Sequence, residues 1–211
     1  MSVAFKLLPA MAQRFSPDTA VLTEIFDPQV NLVVWQRPFA PVIADYCDWL
    51  VLQSTQHATP AFRPIQQIIE PDELPTLLAQ KLPDAVGKTQ FIDDLQLVSQ
   101  MLACLMDCTT VGFRLKHLTQ PMCPRFHTDH VALRLLVTYA GAGTEWLTSA
   151  PSRAAASRAS VREPDVASGQ IAPQQVALLK GSAWEGNEQG AIYHRSPASS
   201  QRILLSIDPA D

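Results

Sequence analysis

Apolar residues recur at helical spacing over much of the first half of the chain. In the clearest stretch, Phe91, Leu95 and Val98 fall on one face of a helix. The pattern predicts a mostly helical N-terminal part over about residues 1–109. The predicted helices are residues 41–53, 72–82 and 88–107, and a short strand is predicted at residues 31–35.

The pattern changes to a period of two near Thr109. Val111 and Phe113 point to one side of a strand, and Arg114 and Lys116 point to the other. Short apolar stretches separated by Gly, Pro, Asn and Ser follow at residues 131–141, 144–147, 175–181, 191–196 and 202–208. This spacing favours a sandwich or barrel. We therefore expect a single α+β domain over residues 1–211, with helices covering a β core at about 110–211.

Residues 149–169 fit neither period, because they are rich in Ala, Ser and Arg. This composition predicts a flexible surface insertion. The alternative is a lid over a site, in which Arg153, Arg158 and Arg162 would meet an anionic ligand.

Composition and charge exclude several classes of protein. Apolar residues make up 47% of 211 residues and charged residues 17%, which is typical of a globular chain. The net charge of -4 argues against nucleic acid as a partner, and no apolar run has the length of a membrane helix. The apolar stretch near the N-terminus is short and contains Pro9, unlike a signal peptide, so we expect a cytoplasmic protein.

The stretch CPRFHTDH contains an H-x-D triplet, His127 and Asp129. On an extended chain these two side chains project to the same side. His194, in a later apparent strand, is the best candidate for a third ligand. Two histidines and one carboxylate on a β scaffold form the facial triad that leaves positions open on Fe(II).

Arg202 begins the last predicted strand and shares one face with Leu204 and Ser206. A guanidinium can make paired hydrogen bonds to both oxygens of a carboxylate, so this face is a candidate carboxylate receptor.

The order H-x-D, distant His, then Arg and Ser on the last strand resembles the Fe(II)/2-oxoglutarate-dependent dioxygenases, from about Val111 to Asp208. The resemblance implies a double-stranded β-helix, a jelly roll related to the cupins. It implies that His127, Asp129 and His194 hold iron. It also implies that Arg202 binds the distal carboxylate of 2-oxoglutarate, assisted by Ser206 or Tyr139.

The segments CPRFHTDH, LLKGSAWEGN and YHRSP are similar to those of an uncharacterised bacterial family of domains of unknown function associated with zinc-responsive genes. That resemblance implies a role in metal homeostasis and makes zinc an alternative to iron.

Five further residues are candidates for contacts around the ligands or to substrate. Cys123 and His130 flank the triplet, and either would favour zinc if it bound the metal. Glu145 follows a Gly-rich turn, and Trp184 and Asn187 precede His194. For each of them an ordinary loop or packing role stays open.

Three functions are compatible with these patterns. The first is a metal-dependent oxygenase that hydroxylates an unknown small molecule or protein side chain. The second is a non-catalytic zinc-binding cupin-like protein, and the third is an interaction module without a metal. Edge strands in such folds often pair, so a homodimer also stays open.

Overall fold

The computed structural model describes residues 11–149, 166–198 and 201–211. The strands in these ranges are β1 (Ala12–Ser16), β2 (Val30–Trp35), β3 (Ile65–Ile69), β4 (Val111–Leu118), β5 (Leu133–Ala140), β6 (Glu145–Leu147), β7 (Gly169–Gln170), β8 (Val176–Lys180), β9 (Tyr193–Arg195) and β10 (Arg202–Pro209). The α-helices are α1 (Pro41–His57), α2 (Leu74–Lys81) and α3 (Lys88–Met106). Two 3-10 helices lie at Thr19–Phe26 and Pro71–Glu73.

The strands form two sheets. The larger sheet has seven strands in the order β1-β2-β8-β5-β10-β4-β3, and the smaller sheet has three in the order β7-β6-β9. All neighbouring strands are antiparallel except β1 and β2. β10 therefore lies between β5 and β4, near the middle of the larger sheet.

The two faces of the larger sheet have different covers. One face packs on the helices, and on β10 it carries Ile203, Leu205 and Ile207. The other face packs on the smaller sheet through a second apolar cluster that includes Leu204 and Trp146. Since side chains alternate along a strand, neighbouring residues face opposite sides, one toward the helices and the next toward the space between the sheets.

The structure confirms the mixed α+β class and most of the predicted elements. α1, α2 and α3 match the predicted helices, and β2 matches the predicted strand at residues 31–35. The division near residue 109 is corrected, because β1, β2 and β3 all join the larger sheet. The N-terminal part thus builds both edges of this sheet as well as its helical cover. Among the described residues, no helix is long and apolar enough to cross a membrane.

Most of the predicted insertion at residues 149–169 lies outside the described residues, including its three arginines. Its C-terminal end is part of the smaller sheet. Gly169 pairs with Trp146, and the Ser168 amide donates to the Trp146 carbonyl at 2.8 Å. The end of this segment is therefore an ordered strand connection.

A buried ion pair joins the helical layer to the larger sheet. The guanidinium of Arg37 binds both carboxylate oxygens of Asp94 on α3. The Tyr139 hydroxyl on β5 also donates to Asp94 Oδ2, at 2.6 Å. Burial lowers the pKa of Arg37, but the charges and hydrogen bonds of Asp94 and Tyr139 raise it more, so the net shift is upward. Arg37 is thus a buried cation whose charge is compensated.

Candidate functional site

The structure brings His127 and His194 together as a cross-strand pair. The His127 amide donates to the His194 carbonyl at 3.1 Å, and the His194 amide donates back at 2.9 Å. Their ring centroids are 4.5 Å apart. Because the backbone bonds are reciprocal, the two imidazoles are held on the same side of the pair.

Asp129 completes a group of three candidate ligands. One ligand atom from each of His127, Asp129 and His194 lies within 4.8 Å of the other two. Asp129 Oδ2 is 3.3 Å from His194 Nε2, and Oδ1 is 3.7 Å from His127 Nε2. Two imidazoles and one carboxylate at this spacing can bind a divalent metal ion and leave coordination positions open.

Arg134 contacts the same carboxylate. Its Nη1 donates to Asp129 Oδ2 at 2.7 Å, and its Nε and Nη2 bind the two oxygens of Asp208. Burial raises the pKa of Asp129, but the hydrogen bond and charge of His194 and the charges of Arg134 and His127 lower it more, to about 2. Asp129 is therefore ionised at neutral pH, as a metal ligand must be.

Gly181 positions the loop that carries Asp129. The amides of Gly181 and Ser182 donate to the carbonyls of Ala132 and Asp129, both at 2.9 Å. A Cβ at Gly181 would overlap the Val131 carbonyl oxygen and lie 2.9 Å from the Asp129 carbonyl oxygen. Only glycine allows the end of β8 to approach this loop so closely.

Gly181→Ala is expected to lower the free energy of unfolding by about 1–3 kcal/mol, because backbone atoms must move to admit the methyl group. Thermal denaturation of the metal-free protein measures this effect. Gly112→Ala is the matched control, since its new Cβ would meet its nearest neighbours at 3.6 Å. Equal melting temperatures for the two variants would contradict the argument.

Arg202 is almost completely buried, with 1% of its surface exposed. Its Nη atoms donate to three hydroxyl groups at 3.0–3.2 Å, those of Ser196, Thr138 and Thr144. Its Nε is buried without an acceptor among the described residues. None of the ion pairs in the described ranges includes Arg202.

The environment of Arg202 affects its ionisation. Burial lowers the pKa of Arg202 to about 10, although the charge of Glu145 acts in the opposite direction. The side chain is still a cation at neutral pH. Among the described residues, its direct hydrogen-bond partners are hydroxyl groups and no carboxylate pairs with it, whereas buried cations are ordinarily paired with an anion.

A cleft of about 100 Å³ connects Arg202 with the three candidate ligands. It lies on the face of the larger sheet that is turned away from the helices. Its walls are formed by Met122, Cys123, His127, Asp129, Arg134, Leu136, Thr144, His194, Arg195, Ser196, Arg202, Leu204 and Ser206. The H-x-D triplet, His194 and the carboxylate-receptor face therefore share one cavity.

Cys123 and Ser206 lie in the cleft wall, but neither joins the ligand group. Cys123 contacts Ser196 through its backbone, because its carbonyl accepts from the Ser196 amide at 2.8 Å. Within the described ranges, the group of potential metal ligands contains His127, Asp129 and His194 without Cys123.

The structure does not place Tyr139 beside Arg202, which corrects the expectation that it assists there. Tyr139 is on the opposite face of β5, where its hydroxyl binds Asp94 under the helices. The preceding residue, Thr138, faces the cleft side and accepts the hydrogen bond from Arg202. Strand alternation accounts for the difference of one position.

The other four candidates also lie outside the cleft wall. His130 Nδ1 is 3.1 Å from Ser182 Oγ, and Glu145 binds Arg195 Nε at 2.6 Å. The ring of Trp184 lies beneath the buried ammonium of Lys180, 4.8 Å away. The Asn187 side chain donates to a carbonyl of its own loop at 3.4 Å. The Glu145 side chain binds a residue of the cleft wall, Arg195.

Sequence reasoning missed the groups that support the site. Arg134 and Asp208 lie on neighbouring strands, and Thr138, Thr144 and Ser196 surround Arg202. The alternation of side chains along β5 could have indicated two of them, because Arg134 and Thr138 lie on the face of the strand opposite Tyr139.

A family model for a protein of unknown function (DUF1826) matches residues 16–208. The chain belongs to this family. The match includes all the residues of the cleft wall, so the cleft lies within the family domain. No curated protein matches the chain.

The solved structures that match the chain include a dioxygenase for auxin oxidation (DAO) in rice. The two chains are 13% identical, the match covers 84% of this DUF1826 chain and 72% of the rice chain, and the TM-score is 0.44. A full-length protein from Neurospora crassa in complex with alpha-KG is also 13% identical, with coverages of 94% and 84% and a TM-score of 0.46. Likenesses this weak assign neither activity nor substrate to the DUF1826 chain.

Proposed function

We propose that this protein is a metal-dependent oxygenase that uses Fe(II) and 2-oxoglutarate to hydroxylate a substrate. The observation that carries the proposal is the position of Arg202. This buried guanidinium, which has no carboxylate partner in the part of the chain that the structure describes, lines the same cleft as His127, Asp129 and His194. The order of these residues along the chain also resembles that of the Fe(II)/2-oxoglutarate-dependent dioxygenases.

The donor set fits a divalent iron ion. His127 and His194 would each provide an imidazole nitrogen, and Asp129 would provide a carboxylate oxygen. Three protein ligands leave positions for two oxygen atoms of a cosubstrate and for dioxygen. Bound there, iron and 2-oxoglutarate would supply the oxidising chemistry of the reaction.

The other end of the cleft fits a carboxylate. A carboxylate would provide the negative charge that Arg202 lacks, and one of its oxygens could accept from Nε. The three hydroxyl groups around the guanidinium hold its plane in place without neutralising it. The volume of about 100 Å³ favours a small dicarboxylate over a ligand of drug size, for which pockets measure about 300–1,000 Å³.

The chain's own residues would orient the cosubstrate and exclude water from it. Arg202 would anchor one end, and the ligand group would hold the other. Leu136 and Leu204 also line the cleft and make part of its wall apolar. A low local dielectric strengthens the ion pair between Arg202 and an incoming carboxylate.

We also propose that the two facing sheets form a double-stranded β-helix of the cupin-like type. The support is the position of the cleft between a seven-stranded and a three-stranded sheet, with β9 and β10 contributing His194 and Arg202. We propose cytoplasmic residence and a small-molecule or protein side-chain substrate from the sequence arguments alone.

Anaerobic titration tests the oxygenase proposal. Fe(II) followed by 2-oxoglutarate is expected to give a weak visible charge-transfer band, and admission of oxygen is expected to release succinate. N-oxalylglycine is the control, because it carries the same two carboxylates and yields no succinate. Absence of both the band and succinate would overturn the proposal.

The second candidate function is non-catalytic zinc binding. The observation that favours it is the presence of Cys123 in the cleft wall beside two histidines, since thiolate and imidazole are the ligands that zinc prefers. Metal analysis of protein purified without added metal distinguishes the two functions. One retained zinc per chain, with no response to 2-oxoglutarate, would favour this alternative.

A further inference from the structure

Arg134 joins the candidate ligand Asp129 to a charged cluster on the larger sheet. We propose that Arg134 is a positioning residue that holds Asp129 by Oδ2, so that Asp129 binds the metal through Oδ1 alone. This inference rests on the proposed function, because it assigns a task at the same metal site.

The contacts of Asp129 divide between its two oxygens. Oδ2 accepts a hydrogen bond from Arg134 Nη1 at 2.7 Å and lies 3.3 Å from His194 Nε2. Oδ1 lies 3.7 Å from His127 Nε2, which is too far for a hydrogen bond, and it accepts none from the described residues. The carboxylate thus has one oxygen in a charge-assisted bond and one oxygen free to coordinate.

Asp208 fixes the orientation of Arg134. Nε and Nη2 of Arg134 donate to the two oxygens of Asp208 at 2.7 and 2.8 Å, so the plane of the guanidinium is set by a two-point contact. Arg134 is on β5 and Asp208 is on the neighbouring strand β10, both in the interior of the sheet. Rigid strands therefore aim the remaining nitrogen at Asp129.

The charge balance indicates that Arg134 serves Asp129 as well as Asp208. Asp208 has a second cationic partner, because Arg114 Nη1 lies 2.6 Å from its Oδ2. Asp129 belongs to the loop between His127 and β5, and outside the histidines its ion pair in the described ranges is with Arg134. An arginine that paired with Asp208 alone would not require the contact between Arg134 Nη1 and Asp129 Oδ2.

A carboxylate held in this way has a defined effect on the metal. Bidentate binding by Asp129 would fill one more coordination position, which a cosubstrate or dioxygen requires. Hydrogen-bonding partners of ligands typically change metal affinity by about 10- to 100-fold. Arg134 would therefore preserve open positions and strengthen binding by fixing the ligand beforehand.

Co(II) titration of metal-free protein tests the inference, with the visible spectrum reporting coordination. Arg134→Gln and Arg134→Lys are each expected to weaken Co(II) binding about tenfold and to change the absorption bands. Asp208→Asn is expected to act in the same direction, since it releases the guanidinium. A purely electrostatic role of Arg134 would make Arg134→Gln bind Co(II) more tightly, which would overturn the inference.

Arg114→Gln is the matched control, because Arg114 binds Asp208 but does not contact Asp129. It is expected to keep its Co(II) affinity within about threefold of the wild-type value. Melting curves of the metal-free variants identify the folded fraction. Unchanged Co(II) affinity and spectra in folded Arg134 variants would reject the positioning role and leave the proposed metal site standing. A wild-type protein that binds no Co(II) would reject the proposed metal site itself.

Discussion

Arg202→Met is expected to weaken binding of 2-oxoglutarate to the metal-loaded protein by about 100-fold or more. The variant removes the cation that would pair with the distal carboxylate in a buried site, and such losses cost about 2–5 kcal/mol. Isothermal titration with 2-oxoglutarate measures the effect. Arg202→Lys is expected to recover only part of the affinity, because an ammonium cannot make paired hydrogen bonds to a carboxylate.

The same substitution is expected to leave the ligand-free protein as stable as the wild type, to within about 1 kcal/mol. Within the described ranges, Arg202 is a buried cation with three hydroxyl partners and an Nε without an acceptor, so its burial is poorly compensated before a ligand binds. The affinity for Co(II) should also stay unchanged, because Arg202 does not contact the ligand group.

Two results would contradict this account of Arg202. A large loss of stability in Arg202→Met would indicate that the residue holds the sheet together. Equal affinity of the variant and the wild type for 2-oxoglutarate would show that the carboxylate binds elsewhere.

Asp94→Ala is expected to lower the free energy of unfolding by about 3–5 kcal/mol. The substitution leaves Arg37 buried without its carboxylate, and an uncompensated buried charge has a cost of this size. It also removes the acceptor of the Tyr139 hydroxyl. Chemical denaturation monitored by circular dichroism measures the difference.

The double variant Arg37→Leu/Asp94→Leu is the control for this prediction. It removes both charges together, and apolar replacements of buried ion pairs are often neutral. The double variant is therefore expected to be more stable than Asp94→Ala. Tyr139→Phe should lose about 1.5–3 kcal/mol, the contribution of one hydrogen bond to a charged group. An Asp94→Ala variant as stable as the double variant would contradict the argument.

Periodicity predicted the parts of the fold that have strong local patterns. α3 has an apolar stripe over five turns, and β4 alternates from Val111 to Lys116, so both elements were predicted from the sequence. β1 and β3 were missed. Their central residues are exposed or half-buried, because each strand is at an edge of the sheet, and edge strands need no continuous apolar face.

The residues of the candidate site that could be predicted are those whose order along the chain follows a known pattern. The triplet, His194 and Arg202 follow the order of a known pattern, and the structure brings them to one cleft. The role of Tyr139 was implied by the resemblance to the dioxygenases, whereas in the structure Thr138, on the other face of β5, binds Arg202. Trp184 and Asn187 precede His194 in sequence, yet their loop turns away from the cleft. The contact between Arg134 and Asp208 depends on the pairing of β5 with β10, which sequence spacing does not reveal.

The reciprocal backbone pairing of His127 and His194 joins two parts of the chain that are far apart in sequence. Every residue between them, including β5, β6 and β8, belongs to a long loop that this pairing closes. A metal ion bound by both imidazoles would act as a reversible cross-link across that loop. Because the ion would bind the folded chain, it would stabilise that state by mass action, by about 2.7 kcal/mol at a free metal concentration 100 times the dissociation constant. Metal supply would then set how firmly the C-terminal half of the chain stays closed, in addition to any chemistry at the ion.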